Sequence, residues 1–390
     1  MKFITAGESH GPCLTAIVSD VPAGLKISER QLNTDLERRQ QGYGRGGRQR
    51  IETDRATVLS GIRFGKTLGT PITLQVANRD WKNWMDRMSV FGPEPEDLKK
   101  EVTPRPGHAD LVGVLKNDTD DCRNILERSS ARETAARVAA GGIAKEFLAE
   151  LGVEVFSFVT GIGPVSMLEE DPMGSAPYYA PLDIETSELR CPDRRTTEDM
   201  KRAIDAARVK GESLGGTFRV VVKGLVPGLG DFCSGPERLT SKLGAAVFSI
   251  PAIKGVEFGL GFEAARREGS SVHDPITRND RDGYTREGNN AGGLEGGMTT
   301  GQALIITAAM KPIPTLMTPL RTVNIDTLEV EEASKERSDT CAVPAAGIVA
   351  EAEVALVLAD AYMDKFGRDN MGDIKANLRQ YVSRIKTQSR

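Results

Sequence analysis

Apolar positions along the chain switch repeatedly between a period near 3.6 and a period near two, so helices and strands are predicted in alternation. Ser28-Glu29-Arg30-Gln31 has the spacing of a capping box, and the helix it opens runs to Arg39 before Gly42 and Gly44 stop it. Ser130-Ala131-Arg132-Glu133 is a second such box, heading a long helix that reaches about Leu151 and ends at Gly152. Residues 196–209, 239–248 and 344–365 read as further helices, the last of them alanine-rich. Strand-like runs lie at 57–59, 72–76, 153–159, 217–222 and 303–307.

Such a mixture indicates α and β elements packed in layers. By itself the alternation predicts a conventional α/β layer on a parallel sheet. Residues 163–193, rich in Pro, acidic and small residues, read either as a linker between two domains or as an excursion from one. The strands on its two sides are alike in character, which a duplicated architecture would explain, but no residue-level repeat accompanies them.

Length and charge narrow the field. A chain of 390 residues can bury a large core and could hold two or three domains. The formal net charge is −4, so no global attraction to nucleic acid or anionic membrane operates. Five scattered cysteines with no Cys-x-x-Cys pair fit buried reduced thiols better than a zinc site or a disulfide framework. Residues 1–5 are too short for a signal-peptide core and no apolar run reaches membrane-spanning length, so a soluble cytoplasmic protein is expected.

Candidate chemistry centres on few residues. There are three histidines, and two of them sit in glycine-rich segments, Gly7-Glu8-Ser9-His10-Gly11 and Arg105-Pro106-Gly107-His108-Ala109-Asp110. Glycine lets the backbone turn sharply or approach a ligand, so each histidine is either presented at a concave surface or simply caps a tight turn. From Arg38 to Arg55 the chain carries six arginines and no lysine, interspersed with glycine. Planar guanidinium forks match phosphate and carboxylate oxygens, and Tyr43 is the only aromatic available for stacking, so a small anion is favoured over RNA. The start of the helix at 130 offers backbone amides and Arg132 to an anion, or is no more than a well-capped helix. The glycine-dense loop at 292–301, the rigid cationic Lys311-Pro312-Ile313-Pro314-Thr315 and the segment Arg337-Ser338-Asp339 add to the set.

Two motif matches fail. Gly42-x-Gly44-x-x-Gly47 has the dinucleotide-binding spacing but follows a helix instead of a strand. Gly65-Lys66-Thr67 resembles the end of a phosphate-binding loop, yet Ser60 stands where its first glycine is required. No His-Glu-x-x-His occurs, so no metal centre is expected.

Taken in order, these segments resemble the chorismate synthase family over nearly the whole chain, most closely its bacterial monofunctional members. The resemblance is carried by Gly-Glu-Ser-His-Gly at 7–11, the arginine-glycine run at 38–55, Arg-Pro-Gly-His-Ala-Asp at 105–110 and Arg-Ser-Ser-Ala-Arg-Glu-Thr at 128–134. Ser-Ile-Pro-Ala-Ile-Lys-Gly-Val-Glu at 249–257, Ala-Gly-Gly-Leu-Glu-Gly-Gly at 291–297, Lys-Pro-Ile-Pro-Thr at 311–315 and Arg-Ser-Asp-Thr-Cys at 337–341 complete it. Asn290, where family members often have arginine, and Leu111, where an aromatic is common, depart from the pattern.

That resemblance implies a β-α-β sandwich, two antiparallel sheets enclosing a helical core, as one catalytic domain over 1–390, with 163–193 an excursion within it. It implies conversion of 5-enolpyruvylshikimate 3-phosphate to chorismate and phosphate by 1,4-anti elimination, the last step of the shikimate pathway. Reduced FMN (FMNH2) is required without net redox change, NADPH acts as an indirect reductant, and an external flavin reductase and a homotetramer are implied. Carried over, His10 protonates the leaving phosphate, His108 keeps the reduced flavin correctly protonated, and Asp339 works with flavin N5 to remove the C6 proton. Cofactor contacts fall on Ser130, Ala131, Arg132, Pro251, Ala252, Gly296, Lys311, Pro312, Ile313, Pro314, Thr315 and Arg337, with Arg39 and Arg45 facing the nicotinamide phosphate. Substrate contacts fall on Ser9, His10, Arg45, Arg48, Arg105, Arg132 and Arg337. His273 matches no functional position. Outside the family, the alternatives are a flavodoxin-like redox enzyme turning over NADPH and an RNA-binding protein using the 38–55 loop.

Overall fold

The first capping box forms as its spacing predicts. Ser28 Oγ accepts the Gln31 N–H at 3.3 Å at the head of α1 (Glu29–Gln40). Its reciprocal half is met from elsewhere, because the Ser28 N–H donates to Glu146 Oε1 at 3.1 Å and so ties α1 to a helix more than a hundred residues on. At the second box Ser130 Oγ accepts the Arg132 N–H at 3.3 Å, and a 3₁₀ turn, Ala131–Glu133, precedes the helix proper. Glu133 does not reach back to Ser130, since Arg137 one turn on holds its carboxylate at 2.9 Å.

A computed structural model describes residues 1–47, 52–167, 179, 181–279, 283–336 and 338–388. Strands β1 (Lys2–Ala6), β2 (Cys13–Ser19), β3 (Ala56–Val58) and β4 (Ile72–Ala77) form one sheet in the order β1-β2-β4-β3. A second sheet holds β5 (Glu154–Ile162), β6 (Val165–Ser166), β7 (Gly216–Lys223), β8 (Ile253–Phe258) and β9 (Leu304–Met310), in the order β8-β9-β7-β5-β6. Every pairing in both sheets is antiparallel, which overturns the parallel layer that the alternation alone predicts. Strand-helix alternation fixes the elements but not their direction. The neighbours β5 and β7 flank a helix in sequence and still run in opposite senses.

Between the sheets lie α4 (Thr134–Glu150), preceded by α2 (Asp110–Asn117) and α3 (Arg123–Ser129), and the long α7 (Val343–Phe366). Helices α5 (Arg194–Val209), α6 (Leu239–Phe248) and α8 (Met371–Gln388) complete those used below. α4 packs on the four-stranded sheet and α7 on the five-stranded one, and the two helices pack on each other. Gly141 permits that approach, because a Cβ there would lie 2.2 Å from the Ala352 Cβ. One apolar cluster draws on both sheets and on α1, α4 and α7. A second, with Phe156, Phe158, Val221 and Ile305, covers the outer face of the five-stranded sheet, so its strands are buried on both sides.

The end of the 163–193 stretch belongs to the core. Leu189 and Cys191 are fully buried, and Arg190 reaches Glu351 in the middle of α7. Residues 168–178 and 180 of that stretch lie outside the described residues. Glu351 is completely buried among Arg38, Lys145 and Arg190, with Arg38 Nη1 and Lys145 Nζ each at 2.8 Å and the Ser157 hydroxyl at 2.7 Å. Among the described residues no helix is long and apolar enough to cross a membrane.

Burial works to raise the Glu351 carboxyl, but Arg38, Lys145 and Arg190 override it and hold the group well below the usual carboxylate range. Its contribution to stability is therefore complete above that range and fades only as pH falls beneath it. Glu351→Gln leaves three buried cations short of a partner and is expected to cost about 3–5 kcal/mol. Urea denaturation should give the same gap at about pH 6 and about pH 8. A gap that shrank across that window would place the titration elsewhere.

Candidate active site

At one end of the helical layer the described residues enclose a cavity of about 690 Å³. The turn after β1 brings Ser9 and His10 to its wall, and the end of α1 and the loop beyond it bring Arg39 and Arg45. Arg105 and His108 come from the segment before α2, and Ser130, Ala131 and Arg132 from the head of α4. Pro251 and Ala252 precede β8, Lys311, Ile313, Pro314 and Thr315 follow β9, and Asp339 precedes α7. Segments far apart in sequence thus converge on one cavity. Pro312 and Gly296 are not on this wall, Gly296 forming instead the turn of a two-stranded hairpin beside the start of α6. Arg48 and Arg337 lie outside the described residues. His273 is exposed and away from the cavity.

Both cavity histidines are built alike. His10 Nδ1–H donates to Glu127 Oε1 at 2.7 Å, and its ring stacks on Trp84 with centroids 4.0 Å apart. His108 Nδ1–H donates to Asp110 Oδ1 at 2.5 Å. Each carboxylate also takes a backbone N–H, that of His10 on Glu127 and that of Arg105 on Asp110, and each meets an arginine. Committing Nδ1 leaves Nε2 as the nitrogen available for exchange with the cavity. Burial pushes both carboxyls up, yet the imidazole and guanidinium partners win, holding Glu127 below and Asp110 far below their ordinary range.

The arginines are balanced by carboxylates set behind them. Asp54, with no solvent exposure, bridges Arg132 Nη1 at 2.5 Å and Arg39 Nη1 at 3.3 Å. Arg105 grips Asp110 and donates to Thr315 Oγ1 at 3.0 Å, joining the 105–110 segment to the strip after β9. Burial brings the Arg39 guanidinium down to about 10; Asp54 resists this, while Arg132 and Arg45 add to it. On the wall itself eight Arg and Lys side chains face four carboxylates. Lys311 is also pushed down, by burial and then by neighbouring Lys254. An anion in the cavity would relieve this crowding. The amides expected at the head of α4 are largely taken, Arg132 N–H by Ser130 Oγ and Glu133 N–H by the Ser130 carbonyl, so that helix contributes mainly side chains.

Asp339 is held by Arg45 Nη1 at 2.8 Å and by the Gly46 N–H at 2.6 Å. Gly46 tolerates no side chain, since a Cβ would come 2.8 Å from the Ser338 carbonyl oxygen. Arg45 Nε is buried without a hydrogen-bond acceptor.

Sequence reasoning passed over Glu127, Asp54 and Trp84, and with them Asn78, whose Oδ1 accepts Arg132 Nε–H at 2.8 Å, and Glu52, 3.7 Å from Arg132 Nη2. Asp110 stood within a quoted motif without a role. Glu127 directly precedes the 128–134 segment, and Trp84 is one of only two tryptophans; the rest carry no local signal, because long-range folding creates their partnerships.

A family model described as chorismate synthase matches residues 1–363. The chain is 50% identical over 395 residues to a chorismate synthase of Aquifex aeolicus, covering 99% of this chain and 98% of that one. It is 52% identical over 394 residues to one from Trichlorobacter lovleyi, covering 99% and 100%. A solved structure titled "Crystal Structure of Chorismate Synthase" superposes with a TM-score of 0.80 at 43% identity, over 99% of this chain and 98% of the other.

Inorganic phosphate should raise the melting temperature of the ligand-free protein more than sodium chloride of equal ionic strength does. At about 100 times its Kd the stabilisation corresponds to about 2.7 kcal/mol. Arg132→Met should remove most of the difference, and an equal response in both proteins would speak against Arg132 as part of an anion site.

Proposed function

The chain belongs to the chorismate synthase family, the enzymes of the last step of the shikimate pathway, and from that premise we propose how its cavity works. The reaction is conversion of 5-enolpyruvylshikimate 3-phosphate to chorismate and phosphate by 1,4-anti elimination, with reduced FMN required and no net redox change. The observation that carries this reading is the pairing of a guanidinium-rich wall with two carboxylate-anchored histidines and Asp339 around one cavity. The substrate bears one phosphate and two carboxylates, which suits such a wall.

The residues present fit a phosphorylated flavin as well. Arg45 Nε lacks an acceptor, and the depressed Lys311 ammonium stands at the mouth of the strip 311–315. Ser130, Ala131, Arg132, Pro251, Ala252, Lys311, Ile313, Pro314 and Thr315 would hold it. Pro312, Gly296 and Arg337 are carried only by resemblance. When bound, reduced FMN supplies an electron that the elimination borrows and returns.

The chain's own groups do the rest. Ser9, Arg45, Arg105 and Arg132 bind and orient the anionic groups, with Arg48 and Arg337 assigned by resemblance alone. His10 delivers a proton from Nε2 to the departing phosphate, whose charge the arginines offset. His108, anchored at Nδ1 by Asp110, exchanges its proton with the cavity at Nε2. Asp339 is a carboxylate placed to take up a proton, oriented by Arg45 and Gly46 N–H. Residues 1–390 act as one catalytic domain of a cytoplasmic homotetramer, supplied with reduced FMN by a separate reductase; NADPH serves as the indirect reductant, with Arg39 and Arg45 facing its phosphate.

His10→Ala and His108→Ala are each expected to lower turnover by about 10²–10⁴-fold in an anaerobic assay with dithionite-reduced FMN. His273→Ala should be nearly silent. Asp339→Asn should bind FMN and substrate within about tenfold of normal while chemistry slows by at least about 10²-fold. Wild-type turnover in a folded His10→Ala protein would remove His10 from the proposed chemistry. Collapse of FMN affinity with normal single-turnover chemistry would make Asp339 a binding residue.

A further inference from the structure

Glu127 meets the Ser9-His10 turn at three points. Its backbone carbonyl accepts the Ser9 N–H at 3.0 Å, Oε2 accepts the His10 N–H at 2.7 Å, and Oε1 accepts His10 Nδ1–H at 2.7 Å. Its side chain is only 3% exposed, and it does not line the cavity. Any influence on the reaction must therefore pass through the turn it holds.

We propose that Glu127 is the positioning residue of His10: it fixes the ring proton at Nδ1 and the ring plane against Trp84, so that Nε2 alone exchanges protons with the cavity. This rests on the reading of His10 as proton donor to the leaving phosphate. An imidazole in water prefers to carry its single proton on Nε2. A carboxylate on Nδ1 reverses that preference. A ring that has given up its Nε2 proton is then already the tautomer that Glu127 accepts. No ring flip or second transfer intervenes between donation and reloading.

Other contacts point the same way. Trp84 stacks on the imidazole at an interplanar angle of 28°, which removes rotation of the ring out of line. Arg123 lies over Trp84 and places Nη1 3.3 Å from Glu127 Oε1, while its Nη2 is 2.9 Å from Glu336. The carboxylate thus stays in place between imidazole and guanidinium. The Ser9 hydroxyl, 3.1 Å from Ser130 Oγ, fixes the turn to the head of α4. Glu127 and Trp84 hold the ring itself, and Arg123 and Ser130 hold what surrounds it.

The test is histidine ¹⁵N NMR on the ligand-free protein, joined to steady-state kinetics. With three imidazoles in the chain, His10 is assigned by the signal lost in His10→Ala. In the wild type the neutral His10 ring should show Nδ1 protonated. In Glu127→Leu it should revert to the Nε2-protonated tautomer, with kcat lower by about 10²-fold or more and KM within about threefold. Glu127→Gln, which keeps one acceptor for three donors, should fall between; if the leucine variant does not fold, the glutamine variant's split between kcat and KM decides alone. A His10 ring still protonated at Nδ1 in Glu127→Leu, or an unchanged kcat in either folded variant, overturns the proposal. A slow His10→Ala beside normal Glu127 variants defeats only the positioning role, whereas a fully active His10→Ala defeats the donor reading beneath it.

Discussion

Guanidinium groups taken out of water around a single cavity are the constraint on which the rest depends. A buried cation without a partner costs several kcal/mol, so each needs a carboxylate, and each carboxylate must be delivered by some element of the fold. Asp54 comes from the stretch before β3 to bridge Arg39 and Arg132, Asp110 from the start of α2 to Arg105, and Asp339 from the approach to α7 to Arg45. These pairs hold the wall together while leaving it short of negative charge. A polyanionic ligand would complete the balance, which is how an acidic protein can present a cationic site.

The same demand links site to core through two adjacent residues. Arg38 turns inward to Glu351 and Asp35, and Arg39 turns to Asp54 and the Ala131 carbonyl at the head of α4. One turn of α1 therefore belongs both to the charge network between the sheets and to the cavity wall. Close packing of α4 on α7 at Gly141 keeps that turn from shifting, because helices so near have little room to slide.

Much of this was legible in the chain. Capping boxes and glycine stops located α1 and α4, and the helices Arg194–Val209, Leu239–Phe248 and Val343–Phe366 lie within a residue or two of their predicted bounds. The strands β1, β2 and β8, the short helices α2 and α3 and the C-terminal α8 were not read from the pattern. Strand direction was misread from alternation, and the antiparallel sandwich followed only from the family resemblance. Both glycine-flanked histidines, and Arg39 and Arg45 of the arginine run, line the cavity. Their partners Glu127 and Asp54 were invisible, since nothing local distinguishes a carboxylate that will meet a histidine 117 positions away from one that will face water.

The most direct test is a stoichiometry. Under anaerobic conditions, with 5-enolpyruvylshikimate 3-phosphate in large excess over dithionite-reduced FMN, chorismate, phosphate and flavin oxidation state are followed together. The proposed elimination gives one chorismate and one phosphate per substrate consumed over many turnovers, with the flavin still reduced at the end. Oxidation of one flavin per product, or product formed at the same rate with no reduced flavin present, would contradict it.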